Sequence, residues 1–466
     1  MLLSVILVTA LGALGDEGKT ATLADRYAPV AGQIIEATLK DNDAHRKLEE
    51  LCYHIGHRLS GSKGLEQAVQ WAARTMQADG LENVRAEPVM VPKWVRGPES
   101  LTLLEPRRET LAMLGLGGSV GTGPEGITGV VVAVADEEAF QALGEGARGK
   151  IVLFNNPMPP YHPETGSGYG KTVRFRSKGA RLASEHGAIA CLVRSVTATS
   201  LRSPHTGAMR YGKAKVKIPA AAVSTEDAEM LARLFARGTP AKVTLKMAAK
   251  NHGQVESANV VGELRGSELP EEVVVISGHL DSWDVGQGAH DDGGGCVMAM
   301  EAIHVLRKLN LRPRRTIRVV LWTNEENGLG GAKAYVKDHA DEMSKHVAAI
   351  EADSGTFAPR GFSVDHQDQA KLSLAADQLR QILGLLGATG ATDLKTGFSG
   401  ADVSQMKPHG VALLGFSVEG SRYFDYHHTQ ADTFDKVDPE DLSRCVASIA
   451  VAAYVLADMP NRLGEP

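Results

Sequence analysis

Cysteine is scarce in this chain. There are four in 466 residues, Cys52, Cys191, Cys296 and Cys445. No two are close in sequence, so they form no C-x-x-C metal or redox pair and imply no disulfide framework. Each falls in an apolar, periodic stretch and reads as a small buried hydrophobe; an exported chain would leave room for one long-range disulfide. Charge of one sign never gathers into a block, and the formal net charge is −6 over the whole chain. Nucleic acid therefore finds no electrostatic footprint, and an acidic membrane surface finds no basic partner. No apolar run reaches the roughly 20 residues that span a bilayer. Gly293-Gly294-Gly295 lacks the Lys-Ser/Thr of a phosphate-binding loop. What remains is an ordinary globular composition, 43% hydrophobic and 23% charged, in a chain long enough for two or three domains.

Residues Leu2 to Gly15 are uncharged and mostly apolar, with small residues at Ala13 and Gly15 and the acidic pair Asp16-Glu17 behind them. This pattern predicts a signal peptide over residues 1–15 and a secreted or periplasmic protein, although the usual basic n-region is missing. The plain alternative is a buried N-terminal strand or helix.

The rest of the chain alternates helical and extended patterns. A helical pattern covers Gln33 to Cys52. An amphipathic one follows from Leu65 to Met76, with Leu65, Ala68, Val69, Ala72, Ala73 and Met76 on one face. Val84 to Val91 alternates like a strand that Pro92 ends. The stretch 118–250 changes character. It is Gly-rich at its start, holds short strands at 130–134, 150–154, 188–193 and 220–223, and carries no metal-type cluster. It reads as a module inserted between two parts of a main domain, 16–117 and 251–466. In the last part, strands at 259–263, 273–276, 315–322, 347–350 and 411–418 alternate with helices. One helix opens at Gly293, and the last is capped by Asp438 with Pro439 at its first position. This alternation predicts an α/β fold, a mainly parallel sheet covered by helices on both faces.

Ligands in such sheets bind outside the carboxyl ends of the strands. That is where chemistry-bearing residues gather here: His279 and Asp281 after the first apolar strand, Asp291 and Asp292 shortly beyond, Glu325-Glu326, Asp353, and the stretch Tyr426 to Thr433. Zinc favours imidazole nitrogen and carboxylate oxygen. Two ions can share one carboxylate, each taking one further His and one further carboxylate, and this inventory suffices for that. Taken singly, each residue is more readily a loop residue or a cap. Asp292 competes with Asp291 as the shared carboxylate and is also suited to cap the Gly293 helix. His427 competes with His428, and Glu325-Glu326 has a surface-charge reading.

Taken together, His279-x-Asp281, Ala289-His290-Asp291-Asp292-Gly293, Asn324-Glu325-Glu326, Glu351-Ala352-Asp353 and His428-Thr429-x-x-Asp432-Thr433 resemble the signature blocks of the co-catalytic zinc exopeptidases, in family order. Arg58 to Ser62, Trp283 and Tyr423 to Val437 look closest to the carboxypeptidase Q branch, and the insert resembles a protease-associated domain. The resemblance implies a zinc exopeptidase fold and two zinc ions per chain, held by His279, Asp291, Glu326, Asp353 and His428 with Asp291 bridging. It implies Glu325 as general base, taking a proton from water at the metals and passing it to the leaving amine. Asp281 would orient His279 through its other ring nitrogen. His427 stands where many relatives place an oxyanion-binding Tyr. The implied function is hydrolysis of short peptides or dipeptides by a homodimer. The alternatives are an aminopeptidase of the same fold, a non-catalytic binding protein and a glutaminyl-cyclase-like transferase. Asp402 is read as a cap or a substrate contact, and Arg422 as a peptide-carboxylate ligand or a surface cation.

Overall fold

Val273, Val274, Val275 and Ile276 are all buried, as a strand covered on both faces requires. Their side chains alternate. Val274 and Ile276 join the core beneath the long helices Leu23–Lys40, Gly294–Lys308 and Pro439–Asp458. Val273 and Val275 face the opposite layer, where Trp322, Tyr335 and Met406 pack. The computed structural model describes residues 22–466, so the expected signal segment lies outside the described residues. Among these, no helix is long and apolar enough to cross a membrane. The fold is α/β, as the alternation of patterns predicts.

The sheet built around this strand has eight members. In spatial order they are Glu82–Val95, Lys250–Leu264, Arg315–Trp322, Leu269–His279, His346–Glu351, Ala412–Val418, Pro359–Asp365 and Asp393–Thr396. The four central strands, from Arg315–Trp322 to Ala412–Val418, run parallel, so their carboxyl ends open on the same edge. Antiparallel strands flank them on either side.

Several local expectations are corrected. The helix expected over Gln33 to Cys52 is two helices, Leu23–Lys40 and Ala44–Glu50. Thr22 and Asp25 cap the first reciprocally, and the chain breaks at Asp41-Asn42-Asp43, residues that favour turns over helix interiors. The strand after it runs past Pro92 to Val95 with a register shift between Pro92 and Trp94. It forms the sheet's edge, where proline is tolerated. Asp438 caps the last helix as expected, accepting from the N–H of Glu440 at 2.8 Å and of Asp441 at 3.0 Å.

A second eight-stranded sheet orders Glu109–Leu111, Glu99–Glu105, Lys242–Met247, Ile127–Val134, Ile151–Phe154, Ala190–Arg194, Ala220–Val223 and Met113–Gly115. It takes in strands from Glu99 onward, upstream of the boundary drawn at 118. Two contacts tie it to the loop after His279. Arg96 donates to both carboxylate oxygens of Asp284, at 2.5 and 2.9 Å, and to the Gly115 carbonyl at 2.5 Å. Trp283 abuts Gly117 with the outer edge of its ring, where an added Cβ would stand 2.0 Å from the indole.

Only glycine fits against that ring, which yields a test. Gly117→Ala is expected to cost about 1–3 kcal/mol of stability through overpacking, read as a lower denaturant midpoint. Gly117→Ala with Trp283→Phe is expected to recover part of it. An unchanged midpoint in the single variant would show that the two sheets do not depend on this contact.

Candidate metal centre

The carboxyl edge of the parallel strands places four loops side by side. Leu269–His279 ends on His279 itself; Glu325-Glu326 follow Arg315–Trp322; Asp353 follows His346–Glu351; His427-His428 come after Ala412–Val418. Asp291 reaches the same point from the loop that leads into helix Gly294–Lys308. Residues far apart in the chain therefore meet because neighbouring strands are parallel.

Asp291 is at the centre. Its Oδ1 lies 3.2 Å from His279 Nε2, and its Oδ2 lies 3.3 Å from His428 Nε2. On the first side Asp353 Oδ1 stands 3.6 Å from His279 Nε2. On the second, Glu326 Oε2 stands 3.0 Å from His428 Nε2. Each oxygen of one carboxylate thus faces its own imidazole and its own second carboxylate. Asp291 Oδ2, Glu326 Oε1 and Asp353 Oδ1 are buried without any hydrogen-bond donor. Such orphaned acceptors are costly unless a cation meets them, and the mixed nitrogen and oxygen donors are those zinc takes. The donor set fits two such ions.

Groupings that could hold a metal also include Asp292 with His279 and Asp353, and His427 with Asp291 and His428. Hydrogen bonds separate these choices. Both oxygens of Asp292 are engaged, Oδ2 by the N–H of His279 and Oδ1 by the N–H of Gly295, each at 2.9 Å. Asp292 therefore pins the strand end and caps the helix behind it. His427 Nε2 is 3.9 Å from Asp291 Oδ2, farther than His428, and its ring stacks on His428 at 3.5 Å between centroids.

The supporting contacts are polar and local. His279 Nδ1 meets the backbone carbonyl of Asp281 at 2.9 Å, which turns Nε2 toward Asp291. The orientation expected of the Asp281 side chain is thus supplied by its carbonyl, and the carboxylate is 3.8 Å from that ring nitrogen. The carboxylate instead accepts from the N–H of Glu325 at 3.0 Å and of Glu326 at 3.4 Å, anchoring the neighbouring loop. Asp432 does the same for the central loop, accepting from the N–H groups of Ala289, His290 and Asp291 at 3.1, 2.8 and 3.1 Å. Glu351 accepts from Ala401 and Val403, both at 2.8 Å. Asp432 and Glu351 belong to the sequence blocks, but their roles as loop anchors emerge only from these bonds.

Packing so many acids together shifts their titration. Burial drives Asp291 up and Glu326 well above the usual carboxylate range. Burial lifts Glu325 to about 8; the His279 charge pulls it down, and Asp353 pushes it further up. Burial raises Glu351 and Asp432 to about 7 each. Burial disfavours a charged His279, yet Asp291 and Asp353 beside it hold its ring well above normal. Burial, with His427 and Arg176 adding to it, keeps His428 well below normal.

A cavity of about 890 Å³ opens over these groups, lined by Asp291, Glu325, Glu326, Asp353, His427 and His428. Its other walls include Tyr423 and, from the second sheet's segment, Tyr169, Arg176 and Arg210. The last three fall in the stretch that shows no metal-type cluster, so nothing in their sequence context marks them. Asp402 is fully buried with neither carboxyl oxygen bonded, so it caps no helix. Arg422 is not a wall residue. It is largely exposed, and pairs with Asp425 at 3.7 Å and with the Tyr426 hydroxyl.

Known proteins share this arrangement of strands. The family model for Peptidase family M28 matches residues 259–453. Carboxypeptidase Q of Mus musculus is 42% identical over 440 residues, 94% of this chain and 91% of that one. Its Homo sapiens counterpart is 42% identical over 422 residues, 91% of this chain and 87% of that one. The crystal structure of a peptidase M28 precursor from Shewanella amazonensis superposes with a TM-score of 0.89 at 34% identity, covering 95% of this chain and 99% of that one. A zinc aminopeptidase from Bacillus subtilis shares the fold with a TM-score of 0.65 at 20% identity, over 90% of this chain and 96% of its own. On this evidence the chain belongs to peptidase family M28, as a zinc-dependent metallopeptidase similar to carboxypeptidase Q.

Proposed function

We propose that this protein is a two-zinc exopeptidase that hydrolyses short peptides or dipeptides from their carboxyl side. The observation that carries this reading is the two-sided environment of Asp291, one oxygen toward His279 and the other toward His428. His279 and Asp353 would hold one ion, Glu326 and His428 the other, with Asp291 between them. Bound there, the pair would supply Lewis acidity, polarising the peptide carbonyl and acidifying water.

The chain's own residues supply the rest. Glu325 lines the cavity beside Asp353 and Asp291, with its backbone pinned by Asp281. Its carboxylate would take the proton of the attacking water and hand it to the leaving amine, a role served by a carboxyl group raised toward neutrality. Burial lowers the His427 ring well below normal, and Arg176 and His205 push the same way. That ring would be neutral and in reach of the developing oxyanion. Residues 99–247 would form a protease-associated module roofing the cavity. Export through residues 1–15 and homodimer formation extend the reading by resemblance to the same branch. An aminopeptidase of this fold is the other reading, and dipeptides blocked at one end or the other separate the two.

Glu325→Gln is expected to retain both zinc ions by metal analysis and to lose about 10²- to 10⁴-fold in kcat. Full turnover in that variant would refute the assigned base.

Metal removal carries its own pH signature. Glu325, at about 8, and Glu351 and Asp432, at about 7, sit above their unfolded values near ~4. Their protonated forms favour the fold. That contribution is complete below about pH 4 and disappears as pH rises through 7 to 8. Chelated protein is therefore expected to melt progressively lower from pH 5 to pH 8, and zinc to restore most at the alkaline end. A melting temperature independent of both chelator and pH would contradict the placement of the ions.

A further inference from the structure

His428 is the strained member of the ligand set. Alone among His279, Asp291, Glu326, Asp353 and His428 it sits in the left-handed region, at φ +62°. A residue with a Cβ stays there only when its surroundings leave it no alternative. Those surroundings come from the inserted segment. The backbone carbonyl of His428 accepts from the N–H of Thr206 at 3.0 Å, and its Nδ1 meets the Thr206 carbonyl at 3.2 Å. One position earlier, the His427 carbonyl accepts from His205 Nδ1 at 2.8 Å. Two consecutive residues of one segment thus grip two consecutive residues of the other, 222 positions away.

The grip is dry and firmly based. His205 is 1% exposed and Thr206 fully buried, so water does not compete for these bonds. The N–H of His205 donates to Ser195 Oγ at 2.9 Å, and that hydroxyl donates to the Val223 carbonyl at 2.7 Å. Thr206 Oγ1 donates to the Gly115 carbonyl at 2.7 Å. Val223 and Gly115 lie on paired strands of the second sheet, so the turn is tied to that sheet. A carbonyl can only accept, so His205 carries its proton on Nδ1. Burial lowers its ring to about 4, against the pull of the His427 carbonyl, which keeps it neutral.

The two sides of Asp291 are therefore built differently. His279 turns its Nδ1 to the carbonyl of Asp281, within its own loop. His428 takes its carbonyl from the inserted segment, and a ligand imidazole depends on such a partner for its tautomer and aim. Arg176 Nη1 also lies 3.3 Å from His428 Nδ1, but two donors facing each other make no bond, which leaves Thr206 as the acceptor.

We infer that His205 is a positioning residue for the metal centre: through it the inserted segment holds His428 in place, and the ion between Glu326 and His428 binds tightly only while that grip is intact. The ion between His279 and Asp353 does not depend on it. This rests on the reading of the cavity as a two-ion centre.

Cobalt(II), titrated into chelated protein and followed by its visible absorption, reads the two sites. Wild type is expected to bind two ions per chain. His205→Leu, which keeps bulk without the donor, is expected to bind the first as wild type does and the second about 10- to 100-fold more weakly. His205→Asn, whose amide nitrogen can take the place of Nδ1, is expected to restore the second step. Equal weakening of both steps, or a selective loss that His205→Asn does not restore, would overturn the inference, as would two wild-type steps in His205→Leu. If wild type itself takes up one ion, the two-zinc reading fails, and the crystal structure of His205→Leu decides the role of His205. A His428 released from the left-handed region upholds that role, and an unmoved His428 overturns it.

Discussion

Carboxylates buried within a few ångströms of one another repel, and the loops around Asp291 are built to hold that repulsion in place. Asp291, Glu326 and Asp353 each keep a buried oxygen that no protein donor meets. Uncompensated charge of this kind costs several kcal/mol per group, so the arrangement is stable only if protons or cations offset it. The surroundings keep the oxygens from turning away. Asp432 grips three successive N–H groups of the Asp291 loop, Asp281 grips the Glu325-Glu326 loop, and Glu351 grips the Ala401–Val403 turn. These three acids serve backbone rather than ions, and they make the donor set a rigid cage.

The parallel sheet is what lets such a cage exist. Four adjacent strands deliver their carboxyl ends to one edge, so residues as distant as His279 and His428 arrive within hydrogen-bond range of the same carboxylate. The second sheet closes the cavity from outside. Its position depends on Arg96 reaching Asp284 and on Trp283 resting on Gly117, both beside the strand that carries His279. The Trp283 ring also lies 5.6 Å from that of His428, which couples the roof to the floor.

Much of the fold and of the candidate site is legible in the sequence for physical reasons. A strand buried on both faces must be a short, continuous apolar run, and Val273 to Ile276 is one. A capped helix start such as Asp438-Pro439 carries its signal in two residues. The ligand types stand at the ends of those runs, where a parallel sheet concentrates function. Other features leave no local trace. Asp432 acts on backbone more than 140 positions away, and no periodicity encodes such a bond. The break at Asp41 to Asp43 interrupts an otherwise helical pattern, and Pro92 is tolerated only because its strand is at an edge, which is a property of topology.

The central claim is that Asp291 stands between two cations. Anomalous scattering from a crystal of zinc-loaded protein, collected on either side of the zinc absorption edge, tests it directly. The account predicts two peaks per chain, one among Asp291, His279 and Asp353 and the other among Asp291, Glu326 and His428. A single peak, or a pair that does not share Asp291, would contradict it.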